Sequence, residues 1–100
     1  MDRAFQLKEH LDIVAALTEI NSRRLLTMGR RGGEAIELAR AIEDRAAAGA
    51  GPAEDARIEA LSHRLAATEA ELEAMDREGG RLNVALARAF GDDSSGTDET

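Results

Sequence analysis

Apolar side chains recur along nearly the whole chain at steps of three and four. Leu7, Leu11, Val14, Leu17, Ile20, Leu25 and Met28 set this rhythm at the start, and no proline interrupts it. That spacing gathers them on one side of an α-helix, for which Asp2 is the expected N-cap. Ile13, Leu17 and Ile20 widen the stripe through Leu7, Leu11, Val14 and Leu25 to about half the helix circumference, at roughly 100° per residue. One neighbouring helix cannot cover so wide an arc, so the first arm carries apolar surface to spare.

Next come GRRGG over residues 29–33 and a second periodic stretch with Ala35, Leu38, Ala39, Ile42 and Ala46. A single seam runs through both: Leu7, Leu11, Val14, Thr18, Asn21, Leu25, Met28, Gly32, Ala35, Ala39, Ile42 and Ala46. The surviving phase predicts one kinked first arm over residues 3–48. Three interior glycines, each about 1 kcal/mol less favourable than Ala, leave a break into two helices and a three-helix bundle as the alternative. The clearest interruption is GAGP over residues 49–52. Gly49 suits a helix C-terminus, Pro52 suits the first turn of the next helix, and Glu54 and Asp55 complement the positive end of its dipole.

From Pro52 onward the seam is strict: Ile58, Leu61, Leu65, Thr68, Leu72, Met75, Gly79, Leu82, Leu86 and Ala89 alternate steps of three and four. This is a heptad pattern, and it predicts a long second arm over residues 52–90. A reversal near Ala50 sets Gly79 opposite Asn21, Gly32 opposite Thr68, Leu72 opposite Met28 and Leu86 opposite Val14. The fold class expected is therefore all-α, an antiparallel helical hairpin forming one domain over residues 1–90, completed by a dimer or partner contact. Residues 91–100, rich in Gly, Asp, Ser and Thr without apolar anchors, read as a disordered acidic tail. Gly79 and Gly80 lie in phase with the seam and read as a hinge before a partner-binding end.

Charge and composition narrow the chemistry. The net charge is −7, and Asp92, Asp93, Asp98 and Glu99 supply more than half of it, so the helical part is only mildly acidic. There is no Cys, which excludes disulfides and thiolate metal sites, and Phe5 and Phe90 are the only aromatic residues. Stacking of single-stranded nucleic acid has almost no platform, and the chain shows no module for reading a duplex. The longest stretch without a charged side chain, residues 46–53, is far shorter than the roughly 18 apolar residues that span a bilayer. With Asp2, Arg3, Lys8 and Glu9 at the start in place of an apolar signal core, a soluble cytoplasmic protein is expected, without membrane or nucleic-acid partners.

Candidate catalytic groups do not assemble. His10 and His63 lack the Glu-x-x-His or paired His spacing of metal-binding helices. Glu59, four residues before His63, reads as an ordinary surface partner. Ser62 and His63 diverge by about 100° around the helix and make no dyad. Neither glycine run has the Lys-Ser/Thr and the preceding strand of a phosphate loop. No catalytic residue, cofactor or metal is expected. Arg23, Arg24, Arg30 and Arg31 form a basic cluster, read either as a docking patch for an acidic partner or as favourable charge at a helix C-terminus. His10, Asn21 and Arg24 fall inside the apolar arc of the first arm, which suits a partly wet interface.

The segments RRLLTMGRRGGEAIELARAIEDRAAA and ARIEALSHRLAATEAELEAMDREGGRLNVALARAF together resemble the small helical flagellar export chaperones of the FlgN and FliT type. Those run as a helix, a glycine-marked step, an Ala/Leu/Glu segment and a long final helix. The resemblance, over residues 7–90, implies a non-enzymatic bacterial chaperone that shields an amphipathic terminal helix of a hook-associated or filament-cap protein. It points to Leu82, Val84, Leu86 and Phe90 as contacts. The wide arc of the first arm adds Ile13, Leu17 and Ile20 to the expected partner-binding set. The competing expectation is a structural homo-oligomeric coiled-coil protein, in which a second copy covers the same surface.

Overall fold

The computed structural model describes the backbone of residues 3–49 and 51–98, and the side chains of residues 3–49 and 51–89. Two helices hold all of these residues except Gly49 and Gly51: α1, Arg3–Ala48, and α2, Pro52–Asp98. The fold is an all-α helical hairpin, with no strand among the described residues. The arms are the two expected, and because α1 is one helix through GRRGG, the three-helix bundle is excluded. Helical propensity loses to periodicity here, since the apolar phase on both sides of the glycines belongs to a single helix. α2 is bounded at Asp98 and not at residue 90, and no apolar periodicity beyond Phe90 accounts for that bound. The expected Asp2 cap lies outside the described residues, and the expected acidic tail lies outside the described side chains.

Local chemistry explains the reversal. Gly49 has φ of 83°, the left-handed conformation that a residue with a Cβ adopts at a cost, and it ends α1. Pro52 opens α2, where its missing N–H is not needed. Glu54 and Asp55 sit in that first turn, at the positive end of the dipole. The Asp55 N–H donates to the Gly51 carbonyl at 3.1 Å.

The chain divides into two compact units: Arg24–Ala74, which contains the turn, and Met1–Arg23 with Met75–Thr100, which contains both outer ends. In the turn unit, α1 buries Thr27, Glu34 and Ala41, one every seventh residue, and α2 buries Leu61, Thr68 and Leu72. Ion pairs cross between the helices. Arg45 bonds Asp55, Arg57 Nη1 lies 3.3 Å from Asp44 Oδ2, Arg64 Nε lies 3.9 Å from Glu34 Oε2, and Arg30 bonds Glu71. Each joins positions at similar distances from the turn, the axial register expected for a reversal near Ala50.

The rotation of α1 differs from the expected one. The seam through Leu25, Gly32, Ala35, Ala39 and Ile42 was the predicted contact line, yet all of these residues are exposed, and the line next to it, through Thr27, Glu34, Leu38 and Ala41, faces inward. Gly32 therefore does not face Thr68: Gly32 is exposed, and a Cβ there would meet nothing within 4 Å, whereas Thr68 is buried. A wide apolar arc has two edges, and hydrophobicity alone does not choose between them. In the rotation observed, Arg30 has an acid in Glu71 and Asp44 a base in Arg57.

Candidate functional site

In the unit of the outer ends, the seam of α2 falls where the heptad places it: Met75, Gly79, Leu82, Leu86 and Ala89 are half-buried. On α1 the corresponding half-buried positions are His10, Ile13, Ala16, Leu17 and Ile20. Here too the line Leu7, Leu11 and Val14 lies outside, at 59%, 59% and 44% exposure, with Phe5 beside it at 60%. No described residue of this unit is fully buried. A cleft of about 350 Å³ lies among Gln6, Glu9, His10, Ile13, Ala85, Arg88 and Ala89. Its lining mixes the polar Gln6, Glu9, His10 and Arg88 with the aliphatic Ile13, Ala85 and Ala89.

The expected partner-binding residues thus divide. Ile13, Leu17, Ile20, Leu82 and Leu86 are half-buried along the inner lines, Val84 projects outward at 51% exposure, and the Phe90 side chain lies outside the described residues. The exposed apolar residues that pattern reading assigned to the hairpin interior are Leu7, Leu11, Val14 and Leu25. A signal that accompanies the observed rotation is the flanking charge pattern, because there Arg30 meets Glu71 and Asp44 meets Arg57.

The four arginines of the basic cluster do not act alike. Arg24 is half-buried, with Nη1 donating to Met28 Sδ at 3.2 Å, and Arg30 is held by Glu71. Arg23 and Arg31 are exposed. Arg30 therefore helps to hold α1 to α2, whereas the Arg24 contact to Met28 lies within α1.

Other polar groups sit on solvated faces. Lys8 and Asp12 pair at 3.1 Å, Glu78 bonds Arg81, and His63 Nε2 lies 3.8 Å from Glu59 Oε1. Among the described residues no group of three or more His, Asp or Glu side chains converges as a metal site. No helix among them is long and apolar enough to cross a membrane. The most distinctive polar feature is Glu34. Its residue exposure is 6%, its Oε1 has no hydrogen-bond partner, and among the described residues its bridge is the long contact to Arg64.

Fold and surface together define a class: a helical hairpin whose interior is narrow and partly polar, and whose first helix turns large apolar side chains outward. Comparison of the chain with protein-family models, with curated proteins and with solved structures finds no match.

Proposed function

We propose that this chain is a non-enzymatic, protein-binding helical adaptor or chaperone, and that the unit of the outer ends takes up an amphipathic helix of a partner protein. The observation that carries this reading is the mismatch between apolar content and burial in that unit. It exposes Phe5, Leu7, Leu11, Val14 and Val84, while Ile13, Leu17, Ile20, Leu82 and Leu86 reach only half-burial. Full burial of such a side chain contributes about 1.5–3 kcal/mol, whereas an exposed ion pair contributes roughly 0–1 kcal/mol. An incoming helix with apolar residues at i, i+3, i+4 and i+7 supplies the missing contacts. The likeness to flagellar export chaperones gives the partner its chemistry, the amphipathic terminal helix of a secreted filament-cap or hook-associated protein.

The test is a titration of the chain with a fluorescent peptide of that kind. Saturable binding is expected, weakened at least about tenfold, or 1.4 kcal/mol, by the paired substitutions Leu7→Glu and Leu11→Glu. Both positions are exposed, so thermal stability should move by no more than about 0.5 kcal/mol. An absence of saturable binding would overturn the reading.

A further inference from the structure

We infer that the partner helix taken up by the unit of the outer ends is an acidic one, and that its carboxylates are read by a basic stripe on the solvent side of α2, formed by Arg77, Arg81 and Arg88 around Val84. The inference rests on the proposed function and adds to it the charge of the partner.

Residues 77–88 hold three arginines and a single acid, Glu78, in a chain whose net charge is −7. The sign of this stretch is opposite to that of the whole. At 100° per residue the three arginines and Val84 fall within about 60° of one another, on the side of α2 away from Met75, Gly79, Leu82 and Leu86, and all four are exposed. Glu78 lies toward the inner side and is half-buried. It bonds Arg81, whose side chain stays 68% exposed. Arg77 has Glu73 four residues before it, the spacing that supports a helix, yet these two form no ion pair. Arg88 forms none with Glu9, although both line the same cleft. Among the described side chains, two of the three guanidinium groups therefore have no carboxylate.

Between them lies a place for an apolar side chain. Val84 is 51% exposed, and with Gly80, Ala85, Arg81 and Arg88 it lines a shallow hollow. Arginine stems present apolar surface and carry the charge beyond it, so the stripe offers a seat to one apolar side chain and a cation to each carboxylate beside it. Ala85 and Arg88 also line the cleft that reaches Ile13 on α1, so the two depressions adjoin.

A helix answers this pattern. The steps from 77 to 81, 84 and 88 are those at which a second helix presents one edge, and Arg77 and Arg88 stand about 16 Å apart along α2 at 1.5 Å per residue. The planar guanidinium fork matches a carboxylate. Nucleic acid and anionic lipid also attract arginine, but the net charge of the chain repels an extended polyanion, whereas a short helix meets the stripe locally.

Two fluorescent peptides of one amphipathic helix test this, one with glutamates edging its apolar stripe and its twin with glutamine at each of those positions. Glutamate and glutamine have nearly equal helix propensity. Net charge alone predicts that the chain prefers the glutamine twin. The stripe predicts the reverse, with the glutamate peptide bound about tenfold more tightly, because three exposed ion pairs, each weak alone, add up to that factor. The preference should vanish near 1 M salt, where the screening length is about 3 Å. Arg77→Gln, Arg81→Gln and Arg88→Gln together should remove it and leave helix content and binding of the glutamine twin unchanged. Equal binding of the two peptides, or a preference that survives the triple substitution, would overturn the inference and leave the proposed function standing. So would tighter binding of duplex DNA or anionic vesicles than of the glutamate peptide, or a dimer of the chain that the triple substitution dissolves. Saturable binding of neither peptide would overturn both.

Discussion

The two units are built from the same two helices, yet they hold them together differently. The turn unit contains all six buried residues among those described, and four ion pairs cross it. Among the described residues of the unit of the outer ends none is buried, although it carries Ile13, Leu17, Ile20, Leu82 and Leu86 along its inner lines. Apolar content is therefore not what separates them. The difference lies in closure: near the turn the chain itself keeps the helices in register, because a short loop restricts their separation at little entropic cost. Farther out, the same heptad must work without that restraint.

Cutting one leucine from each unit is the strongest way to break this comparison. Leu72 is 5% exposed, and Leu72→Ala should cost about 2–4 kcal/mol of unfolding free energy in urea titrations, as deep core truncations do. Leu86, two heptads on, holds the corresponding place but is only half-buried, and Leu86→Ala should cost about 1 kcal/mol, in proportion to the smaller area it removes from water. Equal costs would show that both units are closed to the same degree.

The next effect has the opposite sign. Glu34 places a carboxylate in the interior of the turn unit, with one oxygen unpartnered and a bridge 3.9 Å long to an arginine whose side chain is 60% exposed. Burying charge costs more than so loose a pair returns. Glu34→Leu should therefore raise stability by about 1–3 kcal/mol, seen as a higher urea midpoint. Arg64→Ala should change it by less than about 1 kcal/mol, since that side of the pair is solvated. A destabilised Glu34→Leu chain would mean that the carboxylate holds the register of the two helices.

Glu34 also marks where sequence reading reached its limit. The two arms, the turn at Gly49 and Pro52, and the seam of α2 are legible because heptad spacing, a left-handed glycine and a first-turn proline each have a local physical cause. The rotation of α1 is not local. Leu7, Leu11, Val14 and Leu25 form the more apolar line, yet Thr27 and Glu34 lie inside, in a rotation that sets Arg30 beside Glu71 and Asp44 beside Arg57 on α2. The partner-binding set drawn from the sequence mixed the two lines for the same reason: Val84 projects outward, whereas Ile13, Leu17 and Ile20 are turned partly inward.

Glycines give the smallest and most discriminating contrast. Gly49 has a left-handed φ, so Gly49→Ala should cost about 1–2 kcal/mol in the turn unit. Gly79 and Gly80 are helical, and a Cβ at either would meet nothing within 4 Å. Alanine at each should gain about 0.5–1 kcal/mol, measurable as a rise in melting temperature. Stability alone does not say why the pair is there, but stability and binding measured together do. If the two glycines serve as a hinge that opens the outer unit to a partner helix, the doubly substituted chain will be more stable and will bind the amphipathic peptide more weakly, because the open state has become harder to reach. If they are only weak positions in α2, stability will rise and affinity will stay where it was.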